Sequence, residues 1–184
     1  MAIRLMFETH GISEDNEAGI ATGWLEGRLS AAGRRLAPAI GERHADADAV
    51  IASDLGRARE TAELAFAGRA GVVRYDRRLR ECNYGGFNGA PAETVARERR
   101  RRIDEPFPGG ESLRQVVDRV ASLLEEVARG PDGATVVLIG HSATRWAIEH
   151  LLEGTALEEL VDAPFAWREG WLYTLPWGWR RSQA

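Results

Sequence analysis

Two short apolar runs in this chain each lead to a histidine, and this repetition limits the folds that the sequence can adopt. The first run, residues 3–7, leads to His10, and the second, residues 135–139, leads to His141. Short apolar runs next to glycine are typical of buried strands. Ligands bind at the carboxyl edge of open parallel sheets. We therefore expect both imidazoles to lie at one such edge.

Strand-like and helix-like segments alternate along the chain with short connections. The pattern predicts strands at 3–8, 49–53, 71–75 and 134–139, and helices at 30–44, 56–67, 92–102, 112–129 and 143–153. Such alternation is typical of an α/β fold, a three-layer sandwich in which a mostly parallel sheet has helices on both faces. The 184 residues contain no linker, repeat or low-complexity block, so residues 1–184 are expected to form one domain.

The tail from Phe165 to Trp179 is strand-like and rich in tryptophan. Three interpretations are open for it. It could be an edge hairpin that packs on the core, a contact in a homodimer, or a wall of the substrate site.

The composition narrows the chemistry and the partners. The chain has no lysine, which rules out Schiff-base chemistry and phosphate loops that depend on lysine. The single cysteine, Cys82, excludes an internal disulfide and a multi-cysteine metal site. A net charge of −4 argues against nucleic acid as the main partner. The absence of a long apolar run and the early charges Arg4 and Glu8 predict a cytoplasmic protein that does not enter a membrane.

A run of arginines at residues 97–102 is a local exception to the acidic balance. One interpretation is a solvated helix face. The other is a cationic gate over an anion site.

Several residues indicate phosphoryl transfer. A neutral imidazole at a strand end, such as that of His10, can attack phosphorus and hold the group as phosphohistidine. The phosphoryl oxygens then need fixed positive charge, and the planar guanidinium of Arg57, just after the strand at 49–53, suits them. A carboxylic acid near the leaving group is also needed, and Glu81 is the candidate.

The chain resembles the histidine phosphatase superfamily, in particular its phosphoglycerate mutase-like branch. The resemblance begins with the block Thr9-His10-Gly11-Ile12-Ser13, which is similar to the Arg-His-Gly-x-Ser opening of the family. Further blocks follow in the family's order at 22–24, 29–33, 53–62, 78–89 and 108–113, before the strand that leads to His141.

The resemblance implies a role for each matching position. His10 would be the phosphorylated nucleophile, and Arg57 and His141 would bind the phosphoryl oxygens. Glu81 would protonate the leaving oxygen and later activate water. Additional substrate contacts are implied for Asn16, Thr22 and Gly23. No metal and no cofactor is implied.

The sequence departs from the family pattern at three positions. Thr9 replaces the arginine that opens the family motif, and Glu8 stands where family members usually have an apolar residue. Ser142 follows His141 in place of the usual glycine, and we include it among the candidate substrate-binding residues. Loss of one oxyanion donor typically costs about 10²–10³ in rate.

Three explanations are open for the lost arginine. Arg145, one helical turn after His141, could supply the guanidinium, with Glu8 holding it in place. Alternatively, the substrate is less anionic or carries a cation that meets Glu8. In the third explanation the scaffold has lost phosphatase activity.

We therefore expect an enzyme that hydrolyses a small phosphomonoester through a phosphohistidine at His10. The segment between Gly89 and Pro106 is the only room for a lid and is short, so water should reach the intermediate. A mutase that resembles phosphoglycerate mutase and a repurposed or non-catalytic binding module are the alternatives.

Overall fold

The structure is a computed structural model that describes residues 1–181; residues 182–184, the end of the predicted domain, lie outside the described part. The strands are β1 (Ala2–Thr9), β2 (Ile20–Ala21), β3 (Ala49–Ala52), β4 (Val73–Tyr75), β5 (Ala90–Pro91), β6 (Thr135–Gly140) and β7 (Trp171–Pro176). The α-helices are α1 (Glu14–Glu17), α2 (Ala31–Arg43), α3 (Gly56–Ala65), α4 (Ala92–Glu98), α5 (Leu113–Val127), α6 (Ser142–Glu153) and α7 (Leu157–Asp162). Short 3₁₀ helices lie at Ala67–Val72, Arg77–Leu79, Gly85–Phe87 and Arg101–Ile103.

The main sheet has five strands in the order β4-β3-β6-β1-β7. The first four are parallel, and β7 runs antiparallel to β1 at one edge. Strands β1 and β6 are direct neighbours, and their last residues, Thr9 and Gly140, are paired. The residues that follow, His10 and His141, therefore leave the sheet side by side at its carboxyl edge.

Helices cover both faces of the sheet, which confirms the predicted three-layer sandwich. Residues of α2 and α3 form one apolar cluster with Val137 and Ile139 of β6. Residues of α5 and α6 form the other cluster with Val136 and Leu138 of the same strand. The alternation along β6 thus divides its side chains between two cores, as expected for a strand buried on both faces. Among residues 1–181, no helix combines the length and apolar character needed to cross a bilayer.

Most predicted elements are present with ends shifted by one or two residues. The prediction of one helix at 92–102 is wrong at its C-terminal end. Helix α4 ends at Glu98, and a separate 3₁₀ helix follows at Arg101–Ile103. Because the chain changes from α4 to this 3₁₀ helix, the side chain of Arg102 is buried and donates to the carbonyl of Pro106 at 3.0 Å. The small β2–β5 ribbon was not predicted, since two-residue strands carry no periodicity.

The tail is an edge strand rather than a hairpin. In β7 the side chains of Trp171, Tyr173 and Leu175 are buried against the core, while Leu172 is exposed. This alternation is typical of an antiparallel strand with one buried face. The residues just before β7 are not part of the strand, and Phe165, Trp167 and Glu169 among them line the cavity described below.

Candidate active site

The histidine pair lies where the ends of β1 and β6 meet. The backbone N–H of His10 donates to the carbonyl of Gly140 at 3.0 Å, continuing the β1–β6 pairing by one residue. The ring centroids of His10 and His141 are 4.9 Å apart. The structure therefore brings together the two imidazoles that the sequence pattern predicted at one sheet edge.

Arg57 joins the two imidazoles. It lies in the first turn of α3, directly after β3, and is almost fully buried. Its Nε donates to Nε2 of His10 at 3.2 Å, and its Nη2 faces Nδ1 of His141 at 3.2 Å. The buried Nη1 has no hydrogen-bond partner within residues 1–181. This guanidinium is a fixed cation with unused donors, as an anion site requires.

The hydrogen bonds determine where each imidazole carries its proton. Nδ1 of His10 donates to the carbonyl of Gly11 at 2.7 Å, so the lone pair is on Nε2, where it accepts from Nε of Arg57. Nδ1 of His141 accepts from Arg57, and its Nε2 therefore donates to the hydroxyl of Ser53 at 3.0 Å. Burial, followed by the charge of Arg57, lowers the pKa of His10 from 6.5 to about 3. The same causes lower the pKa of His141 well below 6.5, so both rings are neutral.

Ser53 is a functional neighbour that the sequence reasoning missed. Ser53 belongs to the sequence block that contains Arg57. The partner of its hydroxyl is Nε2 of His141, which lies 88 residues further along the chain, so no local pattern could assign it. The position at the end of a predicted strand was the only available signal.

Glu81 lines the same cavity and is nearly buried. One oxygen, Oε1, accepts from the backbone N–H groups of Cys82 at 2.8 Å and Ala143 at 3.2 Å. The indole of Trp24 and the guanidinium of Arg119 donate to the Glu81 carbonyl at 2.7 and 3.0 Å. The carboxyl group is thus held in place, and its other oxygen makes no hydrogen bond within the described chain.

Three further predicted residues, Asn16, Thr22 and Ser142, line the cavity. The amide oxygen of Asn16 accepts from the backbone N–H of Ser13 at 3.1 Å, which caps α1. The hydroxyl of Thr22 donates to Asp15 at 2.7 Å. Both side chains therefore combine a structural bond with a position at the site.

Gly23 also lines the cavity, and its carbonyl accepts from Nη2 of Arg57 at 3.0 Å. Its φ of 56° is in the left-handed region, and a Cβ atom there would lie 1.9 Å from Oδ1 of Asn88. Only glycine fits this position.

The expected contact between Glu8 and Arg145 is wrong. Buried Glu8 accepts from Arg43 at 3.1 Å and pairs with His44 at 2.8 Å. Arg145 lies outside the cavity lining, pairs with Glu149 at 2.6 Å and stacks 5.2 Å from the ring of Trp171. The sequence could not indicate this pairing because it depends on tertiary structure: helix α2 brings the guanidinium of Arg43 to Glu8. The alternative in which a cation of the substrate meets Glu8 is disfavoured by the same pairs.

The arginines of residues 97–102 differ in their surroundings, so the solvated helix face and the cationic gate each describe part of the run. Arg100, Arg101 and Arg102 form ion pairs with neighbouring carboxylates. Arg99 instead lines the cavity and lies 5.1 Å from the ring of Trp146, and it has no ion pair within residues 1–181. One member of the run is therefore a cation at the site.

A cavity of about 630 Å³ contains these groups. Its polar end is formed by the two histidines, Arg57 and Glu81. Its other end lies between α2 and residues 165–169, and Thr9 and Gly11 lie on the strand end between them. Arg43 and the apolar residues of this second end were not predicted, since no local pattern relates α2 to the tail.

The fold and the site together define a class of protein. A mostly parallel α/β sandwich with two imidazoles at the carboxyl edge of its sheet is a phosphoglycerate mutase-like fold. The sequence model of the histidine phosphatase superfamily (branch 1) matches residues 5–169. The chain belongs to this superfamily, as the sequence blocks indicated.

Relatives with different printed activities are similar to this chain. The phosphoserine phosphatase 1 of Hydrogenobacter thermophilus is 33% identical over 170 residues, covering 85% of this chain and 79% of that protein. A "Probable phosphoglycerate mutase GpmB" of Salmonella paratyphi C is 30% identical over 72% of this chain, which spans only 66% of the mutase. The structure of a mycobacterial glucosyl-3-phosphoglycerate phosphatase matches with a TM-score of 0.74 and 29% identity, over 88% of this chain and 84% of that one.

Proposed function

We propose that this protein hydrolyses small-molecule phosphomonoesters through a phosphohistidine formed at Nε2 of His10. The observation that carries the proposal is the protonation pattern of the histidine pair. The Nδ1 proton of His10 is bound by the Gly11 carbonyl, so the lone pair lies on Nε2, at the cavity, where it accepts from Nε of Arg57. Attack on phosphorus replaces this hydrogen bond by the bond to phosphorus. A neutral imidazole with a fixed lone pair is a competent nucleophile.

In the first step, Nε2 of His10 attacks phosphorus, a P–N bond forms and the bond to the leaving oxygen breaks. Glu81 acts as the general acid and gives a proton to that oxygen. Arg57, whose Nε and Nη2 contact the two imidazoles, stabilises the phosphoryl charge, and His141 lies within reach of the same group. A phosphoryl dianion beside His141 favours the protonated form of that ring.

In the second step, water attacks the phosphohistidine. Glu81 takes a proton from the water, the new O–P bond forms, the P–N bond breaks and His10 regains its lone pair. Asn16, Thr22, the Gly23 backbone and Ser142 are proposed to complete the binding of the phosphoryl group, since all four line the cavity.

The missing arginine at Thr9 has a different substitute from the one first expected. Arg99 lines the cavity without an ion pair in residues 1–181, whereas Arg43 is neutralised by Glu8. We propose Arg99 as the second cation for the substrate phosphate. The other explanation of Thr9, a scaffold without phosphatase activity, predicts no turnover and is tested directly below.

Hydrolysis is favoured over mutase action by the open side of the cavity. Its outer wall is formed by side chains that are half-exposed or more, so water has access to His10. A mutase must keep water from the phosphohistidine, because water competes with the second acceptor.

The test measures inorganic phosphate released from a panel of sugar, glycerate, amino-alcohol and alkyl phosphates. We expect release that falls by about 10⁴-fold or more in His10→Ala and stays near the wild-type level in His150→Ala, whose ring bonds the Thr155 carbonyl away from the cavity. Acid quenching should trap acid-labile phosphate on the wild-type chain only. Absence of both release and labelling contradicts the proposal, and transfer to a second acceptor without release supports a mutase instead.

A further inference from the structure

The cavity continues from the histidines into an apolar groove. Residues of α2 at helical spacing, Leu36, Ile40 and Arg43, form one wall. Alternate residues of the extended segment before β7, Phe165, Trp167 and Glu169, form the other. Each wall therefore presents one regular face of its element to the groove. We call the apolar part of this space, lined by Ile12, Leu36, Ala37, Ile40, Phe165 and Trp167, the apolar groove.

Several exposed hydrophobic side chains lie together in this groove. Nine large apolar side chains within residues 1–181 are exposed, and four of them line the cavity, with exposed fractions of 40% for Ile12, 58% for Leu36, 59% for Phe165 and 64% for Trp167. Scattered exposed apolar residues need no explanation, but a concave cluster of them marks a binding site.

The charges at the far end of the groove do not suit an anionic ligand. The guanidinium of Arg43 is already paired with Glu8 at 3.1 Å. The carboxylate of Glu169 lines the same end and has no ion pair among the described residues. One arginine thus faces two carboxylates, so this end of the groove has no excess positive charge for a carboxylate or a second phosphate of the substrate. The unpaired Arg99 of the same cavity is assigned above to the reacting phosphate.

The size of the cavity also exceeds what a phosphoryl group needs. Its volume of about 630 Å³ is within the range of about 300–1,000 Å³ that is typical of sites for drug-sized ligands. The segment that forms the outer wall continues into β7, whose first residue, Trp171, pairs with Phe7 of β1. The wall is therefore attached to the strand that leads to His10.

We propose that the leaving group of the substrate is an uncharged, mainly apolar group of several carbons that binds in the apolar groove. This inference rests on the proposed phosphatase function, because it places the phosphoryl group beside His10. Its specificity-determining residues are Trp167 and Leu36, one on each wall. Small, carboxylate-bearing phosphates such as phosphoglycerate would leave the groove empty.

The experiment compares methyl-, butyl- and hexylphosphonate, which cannot be hydrolysed, by calorimetric measurement of Kd. All three carry the same head group, so the chain length isolates the groove. A fully buried methylene adds about fourfold in affinity, and with part of the chain buried we expect hexylphosphonate to bind at least about tenfold more tightly than methylphosphonate. The release of phosphate from ethyl and hexyl phosphate, whose leaving groups have similar reactivity, should show the same preference in kcat/KM.

The variant Trp167→Ala should reduce the advantage of the hexyl chain to under about threefold and leave the Kd of methylphosphonate unchanged. Trp177→Ala is the matched control, because Trp177 is similarly exposed but lies outside the cavity. It should keep the full chain-length dependence. Thermal unfolding of both variants verifies that they are folded, and Leu36→Ala provides an independent change on the opposite wall.

Equal affinities for the three phosphonates would overturn the inference, even if phosphate esters are hydrolysed. An affinity gain with chain length that Trp167→Ala and Leu36→Ala leave intact would overturn it as well. Dimerisation that buries the groove and competes with hexylphosphonate would assign the groove to a second copy of the chain and contradict the proposal. Chain-length-dependent binding without any turnover would uphold the groove and refute the phosphatase function, so the two failures are distinguishable.

Discussion

The two ends of the cavity are held in different ways. At the polar end every functional group has a directed partner: Arg57 contacts both imidazoles, His141 donates to Ser53, and Glu81 accepts from two backbone N–H groups. In the apolar groove, by contrast, the side chains of Phe165 and Trp167 are exposed. The two walls of the groove come from α2 and from residues 165–169, which are far apart in the sequence.

This difference indicates how each end should respond to change. A network of directed bonds loses its geometry when one member is removed, because the others lose their orientation. A groove of apolar surface loses affinity in proportion to the area removed. We therefore expect large losses, independent of the leaving group, at the polar end, and graded losses that depend on the leaving group in the groove.

Among the changes that keep His10 in place, the largest effect should come from Arg57→Ala. Removal of the guanidinium takes away the charge beside the phosphoryl group and the donor to both imidazoles, so kcat/KM should fall by about 10³-fold for short and long esters alike. Arg57→Lys should recover little, since an ammonium cannot span both rings. Arg59→Ala is the control, because Arg59 lies over the ring of Tyr75 at 4.0 Å and outside the cavity. A loss confined to hexyl phosphate would erase the distinction between the two ends.

The polar end should also be detectable in the pH dependence of folding. Because the pKa of His10 falls from 6.5 to about 3 in the folded chain, the unfolded chain binds more protons between these values. Stability therefore decreases as the pH falls through this window, by at most about 1.4 kcal/mol per pH unit for this histidine. Urea unfolding between pH 4.5 and 7 should show a shallower slope for His10→Asn than for the wild type. Identical slopes for the two proteins would show that folding does not lower the pKa of His10.

The smallest effect is expected from Arg145→Ala, which touches neither end. Its ion pair with Glu149 and its contact with Trp171 stabilise the outside of α6, so we expect about 1 kcal/mol of lost stability and kcat/KM within about twofold of the wild type. Arg99→Ala is the matched comparison, and it should weaken the binding of inorganic phosphate. A collapse of turnover in Arg145→Ala would restore the first explanation of Thr9.

The sequence could predict the polar end because its information is local. His10 and His141 each follow an apolar run, and Arg57 follows a third, so the parallel sheet brings them together without further detail. Arg145 was misplaced because helical spacing gives distance along α6 but not the direction of the side chain. The partner of Glu8 comes from α2, and no periodic pattern contains that pairing.

The apolar groove could not be predicted for the same reason. The tryptophan-rich tail allowed an edge hairpin that packs on the core, a dimer contact or a substrate wall. The structure has a single edge strand that packs on the core, preceded by residues that line the cavity. Trp171 packs in the edge strand and Trp167 lines the cavity, four residues apart. The antiparallel pairing of β7 with β1 brings the segment close to His10.

The position of β7 has a consequence for how proteins of this kind diversify. Because β7 pairs with β1 alone and lies at the edge of the sheet, we expect that the preceding segment 163–169 can change in length or sequence without altering the β1–β6 register that aligns His10 with His141. Under the proposed function, selection can then act on leaving-group preference and on the histidine pair as separate traits. In the laboratory, libraries confined to this segment should yield new substrate ranges while His10 and His141 stay in place.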